Sequence, residues 1–328
     1  MKRNPSLSLL LAYLPYALVR FLDLMINIIP EPAAFAVGRF IGRSVFVMMP
    51  DRREAAMENL TIAFGSERSP EWIRMTARKS FEHVGMIAIE FFRIRNWSEE
   101  LMAERFVIEG KKDLNLMMLP GQHGICFLYS HFGAFELGPA TTKFVGARAN
   151  LIVSGLRNRF LSRYLFTRGG KDTGLTIFPD RGIVEKMIEL LRKGESVIFL
   201  ADQRGEAERG IFVNFFGKPA PANEVFARIA IDGNARIVPL RTVRRDDGKY
   251  HTLFEPDVQV RLTGDRREDL TRLSQQFHDI FEKWLRTKPE QGFWLQRKWR
   301  RKASKKSSSQ KRKKGSMPNR GTDSQGNL

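Results

Sequence analysis

Apolar positions change their rhythm twice along the chain. The first fifty residues are almost continuously apolar: Lys2 and Arg3 precede an uncharged stretch from Asn4 to Val19, Arg20 and Asp23 interrupt it, and Leu24 to Pro30 is again mostly apolar. Ala33 to Pro50 repeats the pattern, with Arg39 and Arg43 one helical turn apart. A membrane-crossing helix needs about 20 apolar residues. This stretch reaches that length only if Arg20 snorkels or pairs with Asp23. Three readings compete: a cleaved signal peptide, a spanning anchor, or a pair of helices lying in the membrane interface. The Ala34-Phe35-Ala36 triplet favours the first, but it lies far from the Leu9-Leu10-Leu11 run and more apolar sequence follows it. Residues 1–50 are therefore expected to form a hydrophobic helical anchor that spans the membrane or rests on it.

From Asp51 to about Asn115 the period is helical. Ala55, Ala56, Leu60, Ile62 and Phe64 recur at helix-like spacing, as do Ile73, Ala77, Phe81, Val84, Ile87 and Phe91. Ser69-Pro70-Glu71 reads as a helix start, with Ser69 as cap and Pro70 in the first turn. Beyond this, short apolar runs alternate with helical patterns. Gly124–Tyr129, Asn150–Val153, Ser196–Ala201, Ala235–Val243 and Tyr250–Phe254 read as strands. Phe135–Val145, Phe160–Thr167, Val184–Arg192 and Leu270–Leu285 read as helices. Such alternation predicts an α/β fold with a central, mostly parallel mixed sheet flanked by helices. That domain is expected over residues 51–300. Residues 301–328 form a low-complexity Lys/Ser/Arg/Gly tail, expected to be disordered.

Composition adds a partner class. The 328 residues carry a formal charge of +19. The last 28 residues hold nine basic residues and one acid, so +11 lies elsewhere. A surplus of this size seeks anions: nucleic acid, anionic membrane, acidic protein or phosphorylated substrate. The single cysteine, Cys126, sits in an apolar run, which rules out an intrachain disulfide and reads as a buried, inert thiol.

Several chemistries are excluded by motif. There is no H-E-x-x-H, no G-x-S-x-G, no P-loop, and no G-x-G-x-x-G opening a helix after the first strand. The five histidines show no metal-ligand spacing, so neither a metal nor a cofactor is expected. The informative stretch is Tyr129-Ser130-His131-Phe132-Gly133-Ala134-Phe135-Glu136. His131 lies just past a strand's C-terminal end, the edge where open α/β sheets build sites. Gly133 allows a tight turn, and Glu136 falls in the first turn of the expected next helix. Across that bend a carboxylate can hold one imidazole nitrogen and raise basicity at the other, giving a general base. A structural or solvated His and Glu is the competing reading of the same spacing.

The residues HFGAFE resemble the H-x-x-x-x-[DE] signature of glycerolipid acyltransferases, and within them the H-F-G-N-W-E form of the lipid A late acyltransferases (lauroyl and myristoyl transferases). Glu58-Asn59-Leu60 with Ala63-Phe64 resembles their N-L-x-x-A-F segment. Ala201-Asp202-Gln203, Gly210–Val213 and Phe215–Ala220 resemble their D-Q…G-V-F-V-x-F-F-G-x-P-A block. Pro289-Glu290-Gln291 to Arg300 resembles their P-E-Q-W-x-W-L-H-R-R-W-K ending. The likeness runs from about Asp51 to Arg300. Ala134, Phe135, Gly292 and Gln296 depart from it, and Ser154 stands where an Arg-Pro pair begins.

The resemblance implies direct transfer of a fatty acyl chain from an acyl thioester, on acyl carrier protein, to a hydroxyl of a lipid A precursor. His131 and Glu136 are the implied catalytic pair. Arg168, Asn158, Asp202 and Gln203 are candidates for substrate binding. Arg168 or backbone N–H groups of the turn are candidates for the oxyanion. Phe212, Phe215 and Phe216 line a groove or dip into lipid, or for Phe212 join the core. Trp294 and Trp299 beside Arg297, Lys298, Arg300 and Arg301 read as a membrane-surface edge or a solvated helix face. The implied partners are acyl carrier protein, a phosphorylated glycolipid acceptor and the anionic inner membrane, with the catalytic domain on its cytoplasmic side. The alternatives are transfer to another glycolipid or aminolipid by the same fold and, remotely, a basic nucleic-acid-binding protein. The last gives no use to the apolar N-terminus or to HFGAFE, so no specific nucleic acid is expected.

Overall fold

The computed structural model describes residues 5–111, 123–147, 149–153, 158, 160–165, 175–179, 183–205 and 210–299. Arg168 and the basic tail, 301–328, lie outside them. Four long helices come first: α1 (Pro5–Ile28), α2 (Glu31–Met48), α3 (Pro50–Phe64) and α4 (Pro70–Arg93). Ser69 caps α4 by accepting from the Trp72 N–H, with Pro70 in the first turn, as its sequence requires. After α5 (Glu99–Arg105), nine strands among the described residues are interleaved with α6 (Ile183–Arg192), α7 (Val225–Asp232) and α8 (Arg266–Thr287).

Seven strands make the central sheet, in the order β1 (Phe106–Glu109), β9 (Tyr250–Phe254), β8 (Arg236–Arg244), β2 (Ile125–Tyr129), β5 (Ser196–Leu200), β3 (Ala149–Val153), β4 (Leu175–Pro179). Every pairing is parallel except β8 with β9. β2 is buried at all five positions, which is why it reads as an unbroken apolar run: helices cover both faces. Cys126 lies on this strand, fully buried, with its thiol pKa pushed up by burial.

Two further strands, β6 (Ile211–Phe215) and β7 (Lys218–Ala222), form an antiparallel hairpin. β6 alternates buried and exposed, as a one-sided strand must. Phe215 and Phe216 turn inward, while Phe212 points out at 45% exposure, so a core place for Phe212 is overturned.

The N-terminal helices do not form a clear apolar anchor helix. Asp23 of α1 is buried. Its carboxylate takes an ion pair from Arg95 at 3.4 Å and hydrogen bonds from Asn27 and Tyr164. Burying that charge demands such partners; Asn27 lies one turn along the same helix, while Arg95 and Tyr164, not Arg20, come from distant parts of the chain. Among the described residues no single helix is long and apolar enough to cross a membrane; α2 with α3, bent by 95°, passes that test only as a pair. Large apolar side chains nonetheless face outward, among them Leu14, Leu18 and Phe21 on α1 and Phe40, Val47 and Met48 on α2.

α2 lies close against α4 because glycines line the crossing. A Cβ on Gly42 would strike the backbone of Phe81 and Glu82, and one on Gly38 would meet the Gly85 carbonyl. Backbone cannot yield as a side chain can. Gly42→Ala is therefore expected to lower stability by about 1–3 kcal/mol, the cost of overpacking a tight contact. A thermal melt checks it; an unchanged Tm would show that the helices separate freely.

Candidate active site

Parallel register places the two central groups. Tyr129 on β2 is paired with Leu200 on β5. Two residues further along each strand stand His131 and Asp202, which therefore emerge side by side at the C-terminal edge of the sheet. The His131 Nδ1–H donates to Asp202 Oδ1 at 2.9 Å, and the His131 backbone N–H donates to Oδ2 at 3.0 Å. One carboxylate thus fixes both ring and backbone. The ring is 5.0 Å from Phe135 and 5.4 Å from Phe293, centroid to centroid.

Burial lowers the pKa of His131, but the charge and hydrogen bond of Asp202, with the charge of Glu136, outweigh it, so the net shift is upward. Burial pushes the Asp202 carboxyl up, and its contacts with His131 together with the Lys298 charge bring it below the ordinary value.

Glu136 is placed differently from expectation. It sits in a turn, not in a helix, and the next element is a 3-10 helix, Gly138–Val145. Gly138-Pro139 and the hydroxyls of Thr141 and Thr142, which donate to the carbonyls of Gly138 and Pro139, compete with α-helical bonding here. Among the described residues Glu136 makes no hydrogen bond to His131; it acts on the imidazole through its charge. Its side chain is exposed to solvent, although the surrounding protein is dense enough to desolvate the carboxyl. Burial raises its pKa and the His131 charge opposes that.

The turn between them is pinned from beneath. Gly133 adopts φ +66°, and a Cβ there would land on the Thr242 carbonyl, so glycine is required. The Gly133 N–H donates to the Gln291 carbonyl at 3.0 Å and the Ala134 N–H to the Thr242 carbonyl at 2.8 Å. The Gly133 carbonyl accepts from His83 Nε2 at 3.0 Å, and His83 Nδ1 accepts from Arg244 at 2.7 Å. Arg244 forms a two-pronged pair with the fully buried Glu90, both contacts 2.6 Å. Burial and the Arg244 charge hold His83 neutral, well below its ordinary pKa. The Phe132 N–H donates to the Ser130 carbonyl. The N–H groups of residues 131–134 are thus all engaged within the protein, which removes them as oxyanion donors.

The same geometry sorts the other expected site residues. Asp202 holds the His131 ring and caps no helix. Gln203 is exposed at the same edge. The Asn158 side chain accepts from the N–H groups of Phe160 and Leu161, opening the short helix 160–165. Trp294 is buried and Trp299 stacks on Phe215 at 5.4 Å, so neither forms a membrane edge. Residues 293–299 are not helical, and Lys298 turns inward. Asn59 was legible only as part of a motif; its amide donates to the carbonyls of Trp294 and Gln296 at 2.8 and 2.6 Å. Two of the blocks that carry the family resemblance are therefore in direct contact.

Among the described residues His131 is hydrogen-bonded to Asp202 and to no hydroxyl or thiol. An α/β fold that presents a carboxylate-bound histidine at the C-terminal edge of its sheet is the class that fold and site define. Sequence comparison narrows this. The chain belongs to the bacterial lipid A biosynthesis acyltransferase family, whose sequence profile matches residues 1–301, and it is an acyltransferase. It is similar to the lipid A biosynthesis palmitoleoyltransferase of Escherichia coli (23% identical, covering 83% of this chain and 86% of the relative). It is also similar to the lauroyltransferase of the same organism (25%, covering 83% and 87%). A lipid A biosynthesis acyltransferase of Haemophilus influenzae is 22% identical, covering 86% and 88%.

Proposed function

We propose that the protein moves a fatty acyl chain from an acyl thioester, carried on acyl carrier protein, to a hydroxyl of a lipid A precursor, with His131 as general base. The observation that carries the reading is the His131–Asp202 hydrogen bond. It places the proton on Nδ1 and leaves Nε2 as the basic nitrogen. Nε2 takes the acceptor's proton as the alkoxide attacks the thioester carbonyl. The tetrahedral intermediate collapses, and the imidazolium returns the proton to the departing thiolate. Atoms balance without an acyl-enzyme. Glu136, whose charge reaches the ring, stabilises the imidazolium in between. Arg168 is the oxyanion partner by resemblance, and Asn158 and Gln203 are placed with the substrate on the same ground. The relatives' names point to palmitoleoyl and lauroyl chains as the first donors to try.

The test is incubation of purified protein with acyl carrier protein or coenzyme A thioesters of defined length and a tetra-acylated disaccharide, read by mass spectrometry. Gain of one acyl mass is expected with the carrier-protein donor. No gain with any thioester would reject the lipid A acceptor, and lipid profiling of a deletion strain would then seek another glycolipid or aminolipid that loses a chain.

The outward apolar side chains of α1 and α2, with the basic surplus, support binding to the anionic cytoplasmic face of the inner membrane. Phe40 is 70% and Val47 69% exposed. Their joint replacement, Phe40→Asp with Val47→Asp, is expected to weaken partitioning into anionic vesicles by at least about ten-fold, from lost apolar burial. Equal sedimentation of variant and parent with such vesicles would remove this face from the interface.

A further inference from the structure

Beside Asp202, in the cavity that His131 also lines, lies a largely buried ammonium that plays no part in the proton transfers of His131. Lys298 Nζ donates to the Asp202 backbone carbonyl at 2.8 Å and to His278 Nε2 at 3.0 Å. The His278 Nδ1–H in turn donates to the Ser274 carbonyl of α8 at 2.8 Å, which makes His278 a neutral acceptor. Burial, then the Lys298 charge, lowers the His278 pKa to about 3. The segment that delivers Lys298 is clamped by Asn59 of α3, and Phe215, itself stacked on Trp299, packs against the lysine. The groups facing the ammonium are Asp202 and Arg204 beyond β5, His278 on α8, and His131 and Arg297 on the walls of the same cavity. That cavity measures about 70 Å³. That volume has room for a few waters but not for a fatty chain, so Lys298 acts through Asp202 rather than on the acyl chain.

We propose that Lys298 is a positioning residue for acyl transfer: its ammonium pins the turn at Asp202 and keeps that side chain an ionised carboxylate, so that His131 stays in the tautomer with Nε2 basic. The chain of contacts runs from the Ser274 carbonyl through His278 and Lys298 to Asp202 and His131. Each link needs the one before it. Without the cation, the Asp202 turn loses an anchor and its carboxylate loses a compensating charge. The inference rests on His131 being the base.

Burial lowers the Lys298 pKa to about 8, with Asp202 opposing and Arg204 reinforcing the shift. Lys298 is charged below that pH and neutral above it, so the anchor weakens as pH rises through it. Transfer by the full-length wild type is therefore expected to fall above about pH 8.

Kinetics of wild type, Lys298→Met and Lys298→Arg against pH test this, with melting temperatures alongside. Lys298→Met is expected to lower kcat about ten-fold, the equivalent of one pKa unit on the base, with KM for both substrates nearly unchanged. Lys298→Arg keeps a permanent charge; the family ending resembled by this segment carries arginine at that position. It is expected to restore most of kcat and to abolish the alkaline fall. Wild-type kcat in Lys298→Met, or the same alkaline fall in Lys298→Arg, overturns the proposal. If Lys298→Met does not fold, the alkaline limb of Lys298→Arg decides alone. A wild type that transfers nothing removes the base reading and this inference together, whereas an active wild type with unaltered variants removes only this one.

Discussion

Replacing His131 with alanine is expected to lower kcat for acyl transfer by roughly a hundred- to ten-thousand-fold, the usual contribution of a positioned base. The acceptor is an alcohol, a poor nucleophile at neutral pH. Without the imidazole it must lose its proton to water during attack, and the departing thiolate has no acid to receive one back. In the proposed mechanism His131 serves both steps. Its side chain is 15% exposed, so the substitution costs packing against Phe135 and Phe293 without opening the core. Melting temperature should shift little, and KM should hold if the acceptor binds by its sugar and phosphates. Mass spectrometry of the acylated product checks the loss. Activity within a few-fold of wild type would remove the histidine from the chemistry and leave its carboxylate partners without a purpose.

The central strands β2 and β5 were legible in the sequence because they are largely buried on both faces, whereas β1, inside the stretch read as helical, and β4 were missed. GICFLY and SVIFLA are apolar at successive positions, and the structure places strands on both within a residue of the expected ends. The site's edge followed, since His131 and Asp202 each stand just past such a run. Their pairing did not follow. It depends on β2 and β5 being neighbours in register, and strand adjacency leaves no local trace in the chain. Glu136 looked the nearer carboxylate in sequence, whereas Asp202, 71 positions away, makes the hydrogen bond. Trp294, Trp299 and the nearby cations misled for a related reason. Aromatic and basic residues interleaved at a chain end have the composition of an interfacial edge, but here the aromatics close the core and one of the cations, Lys298, is drawn inward by a carbonyl and a neutral histidine. The β6–β7 hairpin was missed because Lys218–Ala222 reads KPAPA. Proline is tolerated in a two-stranded hairpin, which has an open edge on each side.

Asp202→Asn is the substitution that separates the two carboxylates, and its expected cost is on the order of 10⁴ in kcat, as for loss of the acid that orients a catalytic histidine. An asparagine keeps an oxygen to accept the His131 backbone N–H, now at 3.0 Å. It can also set its amide N–H against Nδ1. That nitrogen then becomes the acceptor, the proton moves to Nε2, and the basic lone pair points away from the substrate. The pH profile carries a second signature. The base must be neutral, so activity rises with pH through its pKa. In the wild type that pKa lies above the ordinary histidine value because Asp202 and Glu136 overcome burial. Removing the Asp202 charge leaves burial opposed by Glu136 alone, and the acid limb of kcat/KM moves to lower pH. More of the variant is therefore unprotonated at pH 7, yet it turns over more slowly, a combination that simple loss of a cation or of fold does not produce. Glu136→Gln also removes a charge that raises the base, but leaves Nδ1–H bonded to Asp202; its acid limb should move in the same direction while the tautomer stays correct. If Asp202→Asn retained wild-type kcat while Glu136→Gln lost it, His131 would be turned toward Glu136 during the reaction, and the contact across the sheet edge would belong to the resting enzyme alone.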